Sequence, residues 1–143
     1  MERYTTGFLR ASLLWLVAGV STGVTMAIHP AWAAYRTAHL HMLLLGFVTM
    51  MIAGVAYHVF PRFAATPLHS PRLARIHLVI ANLGVAGMAA GFVWRLYAPT
   101  VGGIVLAIGA SCSATGAYLL AWNLWRTLDS AALPITRLVA RAT

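Results

Sequence analysis

Negative charge is almost absent from this chain: only Glu2 and Asp129 are acidic, and charged residues of both signs make up 8% of its 143 residues. A soluble domain carries about a quarter charged residues. The composition therefore excludes that class, and a hydrophobic share of 61% places the chain in a lipid bilayer. Cysteine is equally scarce. Cys112 stands alone, so one chain can build neither a disulfide nor a cysteine-ligated cluster. No C-x-x-C-H run is present to attach a c-type heme covalently. Cys112 itself reads as a small residue packed between helices.

What is present in quantity is uncharged sequence, in four stretches covering 11–35, 37–61, 76–94 and 96–125. Each supplies the ~20 residues that cross a ~30 Å hydrocarbon core as a helix. The pattern predicts one all-α, four-transmembrane-helix bundle with helices at about 11–28, 37–60, 76–95 and 100–125, followed by a short basic tail at 126–143. Proline supplies the punctuation: His29-Pro30 closes the first helix, Pro61 the second, and Pro99 precedes the fourth. The first run is too long for the apolar region of a leader peptide and is read as a membrane helix. In the tail, Leu133, Ile135, Leu138 and Val139 are expected to lie on the inner membrane surface.

The arginines give an orientation. Eight of them (Arg3, Arg10, Arg62, Arg72, Arg75, Arg126, Arg137 and Arg141) fall on one side of this arrangement, and only Arg36 and Arg95 on the other. Positive charge concentrates in cytoplasmic loops, so both termini and the loop between Arg62 and Arg75 are predicted to be cytoplasmic. The net charge of +8 is then a record of topology rather than of nucleic-acid binding. Trp32, Tyr35 and Tyr97 are expected to form an aromatic belt at the outer interface, with Trp122 and Trp125 at the inner one. Small residues four apart (Gly19 and Gly23, Gly87 and Gly91, Gly103 and Ala107) are expected to let helices approach closely.

Against this background the second stretch, AHLHMLLLGFVTMMIAGVAYHVFP, carries His39, His41 and His58. Residues two apart on a helix point about 200° from one another, so His39 and His41 address different neighbours. Polar groups in membrane spans are functional candidates by default. A structural metal site wants three or four converging ligands, whereas a heme needs one or two axial imidazoles and an apolar surround. Heme fits the pair better, though a metal ion stays open on chemistry alone. His58 lies about 28 Å along the helix from His39. It is expected near His77, and His69 with it, as an interfacial residue rather than a second metal or heme site.

The same stretch resembles the tenth transmembrane helix of subunit I of the heme-copper oxidases, which carries an A-H-x-H motif, a glycine fifteen residues beyond the first histidine and an H-aromatic-F-P ending. Ala38-His39-Leu40-His41, Gly54 and His58-Val59-Phe60-Pro61 stand at those spacings, with Val59 in place of the aromatic. Arg36-Thr37-Ala38-His39 is similar to the second helix of the related nitric oxide reductases. The resemblance implies that His39 and His41 are axial ligands of a non-covalent heme b. Arg36 and Arg95 would pair with its propionates, on the periplasmic side of a bacterial-type inner membrane. The family's twelve helices form three similar arcs of four, so this chain looks like one arc. That implies a homo-oligomer sharing heme between subunits, a trimer in preference to a dimer.

The departures narrow the activity. There is no membrane histidine followed by Pro-x-x-Tyr, no adjacent His-His pair and no carboxylate within a span, so copper and a proton-pumping oxygen site are not supported. The expected function is electron transfer, with a redox partner protein, or binding or reduction of a diatomic gas such as nitric oxide. If an enzyme, the protein is an oxidoreductase of that type. The alternatives are a non-redox heme or copper handling or oxidase assembly factor and, third, a small transporter or structural bundle.

Overall fold

The computed structural model describes residues 2–142, with side chains described through Ser130. The expected membrane-surface contacts of Leu133, Ile135, Leu138 and Val139 lie outside the described residues. Four helices are long and apolar enough to cross a membrane, Arg3–Ile28, Pro30–Phe63, Pro71–Trp94 and Pro99–Ser130. No strand occurs among the described residues. The short connections make the helices run alternately up and down, giving one end rich in arginine (the basic end) and another bearing His39 and His41.

The helices extend beyond the uncharged stretches, for reasons visible in their packing. α1 (Arg3–Ile28) starts about two turns before residue 11. Its first turns bury Tyr4 and Phe8 against Tyr57, with ring centroids 5.9 and 5.6 Å apart. That aromatic burial holds helix where Arg10 interrupts the hydropathy pattern.

The second spanning helix is composite. A 3₁₀ segment, Pro30–Tyr35, leads into α2 (Arg36–His41), then a π-helical segment, Met42–Thr49, then α3 (Met50–Phe63). The helix runs two residues past the expected stop at Pro61, to Phe63, the proline forfeiting its own N–H bond in the last turn. Ala65, at φ 47°, then turns the chain in the left-handed region. α4 (Pro71–Trp94) opens with Pro71 at its first position, and Ser70 caps it by accepting from the Leu73 N–H at 3.3 Å. The fourth helix is α5 (Pro99–Ala142).

α4 and α5 form the most extensive helix pair, along a seam of small residues. A Cβ added at Gly87 would meet Gly109 Cα at 3.0 Å, and one at Gly91 would meet the Leu106 nitrogen at 2.5 Å. The expected contact at Gly103 is not made, since nothing lies within 4 Å of its position. Gly109 takes that part instead, being on the face of α5 turned to α4.

Polar groups at the basic end fasten the loop before α4 to α5. The fully buried Asn123 accepts from the Ser70 N–H at 2.9 Å and donates to the Ser70 carbonyl at 2.9 Å. Thr127, also buried, accepts from the His69 N–H at 3.0 Å. The buried core lies in the same half, around Phe8, Met50, Ala53 and Tyr57.

Candidate functional site

His39 and His41 stand at the last turn of α2, just before the helix widens into the π segment. His39 turns toward α1. Its Nδ1 donates to the Gly19 carbonyl at 2.8 Å, and its ring edge lies so close to Gly23 that a Cβ there would be 2.9 Å from Cε1. His41 turns the other way, toward α4, with its ring 4.7 Å from that of Phe92. Its Nδ1 donates to the Thr37 carbonyl at 2.8 Å. The two rings lie on opposite flanks of one helix, each partly buried.

These bonds decide the tautomer. A carbonyl can only accept, so both imidazoles carry a proton on Nδ1, and in the neutral ring this leaves Nε2 bare. Neither Nε2 has a protein partner among the described residues. A bare Nε2 with Nδ1–H held by a carbonyl is the form in which histidine ligates a metal, the backbone bond fixing ring orientation and raising basicity.

The face between the histidines, marked by Ala38 and Met42, borders a cleft of about 510 Å³ lined also by Thr22, Trp32, Tyr35 and Val93. Its apolar lining gives low-polarity volume beside the pair. Tyr35 and Tyr97 close the rim through a hydroxyl–hydroxyl bond. Arg36 precedes His39 by one turn and is exposed, and Arg95 follows Phe92 by one turn and is exposed. The acidic residues, Glu2 and Asp129, belong to the opposite end of the bundle.

The remaining histidines differ. His58 accepts at Nδ1 from Arg62 Nη1 at 3.0 Å and is partly exposed. His77, expected as a neighbour of His58, is 3% exposed and hydrogen-bonded to the Tyr57 hydroxyl at 3.0 Å. They take different partners, one near the basic surface and one in the core. Among the described residues no three His, Cys, Asp or Glu side chains converge on a common point that could hold a metal ion. An axial site needs no such convergence within one chain.

Two contributors were hidden in the sequence. Phe92 gave no motif to find it by, and Gly19 and Gly23 read only as packing residues, although their spacing marked the helix face on which His39 lands. The π segment is a third. Gly46 lies within it, and a Cβ there would sit 2.5 Å from Trp15 Cγ. Trp15 crosses over this glycine to donate from Nε1 to Asn82 Oδ1 at 3.1 Å, tying α1 to α4. Widened turns of this kind concentrate at functional sites.

Comparison with known proteins covers nearly the whole chain. The family model described as Cytochrome C and Quinol oxidase polypeptide I matches residues 3–137. The Cbb3-type cytochrome c oxidase subunit CcoN1 of Stutzerimonas stutzeri is 29% identical over 154 residues, covering 87% of this chain and 32% of that protein. The chain thus spans about a third of the length of the curated relative it matches.

Proposed function

Because the chain belongs to the cytochrome c and quinol oxidase polypeptide I family, we propose that it binds heme b through His39 and His41 and acts in electron transfer across one face of a bacterial inner membrane. The observation that carries this reading is the pair of bare Nε2 atoms on opposite flanks of α2, each fixed by a carbonyl on its Nδ1. When bound, the heme supplies reversible one-electron chemistry at its iron.

The residues have separable roles. Gly19 and Thr37 hold the imidazoles in the ligating tautomer. Phe92 fixes the plane of His41 by ring contact. Arg36 and Arg95, with no carboxylate at their end of the bundle, offer guanidinium groups to the propionates. The apolar lining beside them excludes water.

Because the two Nε2 atoms diverge, one chain does not sandwich a single heme. His39 of one copy and His41 of the next would face a shared macrocycle, so each α2 serves two interfaces, and a closed ring of three copies satisfies every histidine. Two histidine ligands favour electron transfer. An iron left with one would bind a diatomic gas such as nitric oxide.

The optical spectrum of protein purified from heme-replete cells tests the reading. Reduced α and β bands that carbon monoxide leaves unchanged are expected. A carbon monoxide shift would assign the gas-binding form, and the absence of any Soret band would overturn heme binding and favour a small transporter or structural bundle.

A further inference from the structure

We infer that Arg72 and Arg75 hold the phosphate of one anionic phospholipid, with an acyl chain lying along Ile76, Val79 and Leu83, independently of whether His39 and His41 bind heme. Arg72, Arg75, Ile76, Val79 and Ile80 line a groove of about 420 Å³ at the basic end. All five belong to α4. Successive residues of a helix turn by about 100°, so the two arginines share one face with Ile76, Val79 and Leu83. That face is exposed throughout, whereas Ala74, His77, Ala81 and Val85 on the other side are buried. No other helix of the chain covers the groove.

Arginine at a membrane interface needs no ligand, and three observations set this pair apart. Other arginines of the same end have partners within the protein. Arg62 bonds His58, and Arg126 lies over the Trp122 ring. Neither Arg72 nor Arg75 has a side-chain partner among the described residues. Next, no carboxylate or hydroxyl lines the groove, so the two guanidinium charges are left uncompensated there. Finally, the groove turns from cationic to apolar within one residue, from Arg75 to Ile76. Leu83 stands about 12 Å further along the helix axis than Arg75.

These features select the occupant. Guanidinium forks match the non-bridging oxygens of a phosphate, and the apolar strip below them matches hydrocarbon. An anion carrying an acyl chain satisfies both halves, whereas a free phosphate or a nucleic acid has nothing to lay along Ile76, Val79 and Leu83. The net charge of the headgroup matters as well. An ethanolamine or choline headgroup would bring its ammonium against two guanidinium groups, with no carboxylate in the groove to receive it. Phosphatidylglycerol carries no such cation and is the lipid that the groove fits.

Photolabelling of full-length protein in phosphatidylcholine liposomes tests the site. Trace phosphatidylglycerol or phosphatidylcholine probes carry a diazirine at the same acyl carbon, and labelling is read on the tryptic peptide 76–95. The phosphatidylglycerol probe should label it at least roughly fivefold more, the ratio that one cation contributes beside an anionic lipid surface. Arg72→Gln combined with Arg75→Gln should bring the ratio to parity. Arg10→Gln, a change at another exposed arginine of the same end, should leave the ratio unchanged. An equal loss from Arg10→Gln would assign a diffuse positive field and overturn the site. Protection by inorganic phosphate would assign a free anion and overturn the lipid. Should the double variant fail to insert, the wild-type ratio decides: parity between the two probes overturns the proposal.

Discussion

His39 and Gly19 share a hydrogen bond across 2.8 Å, from Nδ1 to a main-chain carbonyl in the interior of α1. That carbonyl already accepts the Gly23 N–H within the helix, so the imidazole is a second donor to one oxygen. Its approach depends on Gly23 having no side chain. A Cβ there would stand 2.9 Å from His39 Cε1. The orientation of a candidate ligand is thus set by a glycine on the neighbouring helix.

Gly23→Val should therefore act on the site more than on the fold. Its branched side chain displaces the His39 ring, and the heme-to-protein ratio of purified material should fall several-fold. Gly103→Ala is the control, because its position is open. It should stay within about 0.5 kcal/mol of wild type and keep its heme.

Asn123→Ala should destabilise the bundle without altering the heme spectrum of the molecules that remain folded. It removes both bonds to Ser70, and each buried partner left unpaired costs about 1–3 kcal/mol. Thermal unfolding in mild detergent, followed by circular dichroism, gives the difference.

Ala65→Gly should stabilise. Ala65 holds φ 47° just past the end of α3, a conformation costing roughly 1 kcal/mol for a residue with a Cβ. The same unfolding experiment should show a small rise in Tm, and a fall would mean that the turn is not strained in this way.

Reporter fusions test the topology drawn from the arginines. Fusions after Arg36 or Trp94 should report periplasmic exposure, and one at Thr143 should report the cytoplasm. A periplasmic signal at Thr143 would reverse the orientation and move the candidate site to the other side.

Most of the architecture was legible because hydropathy and arginine placement report directly on lipid, and the four spans follow from composition alone. Their ends were less so. The first turns of α1 depend on Tyr4 and Phe8 meeting Tyr57, a contact between distant parts of the chain. The π segment has the composition of an ordinary apolar helix, and only the seat of Trp15 on Gly46 distinguishes it. In the site, the opposite directions of His39 and His41 were implied by their spacing, whereas the tautomer needed the Gly19 and Thr37 carbonyls. His77 was expected beside His58 because both fall toward the arginine-rich end. Placing α4's start at Pro71 carries it more than a turn into the helix and against Phe8.

The central claim is that His39 of one copy and His41 of another hold the same heme, and mixing two defective chains tests it most directly. His39→Ala and His41→Ala, purified separately, should each lose heme or convert to a five-coordinate spectrum. Co-expressed, they should form mixed oligomers in which an intact His39 meets an intact His41, recovering native-like six-coordinate heme that neither shows alone. A wild-type spectrum from His39→Ala by itself, or no recovery in oligomers proven to contain both chains, would contradict the shared site.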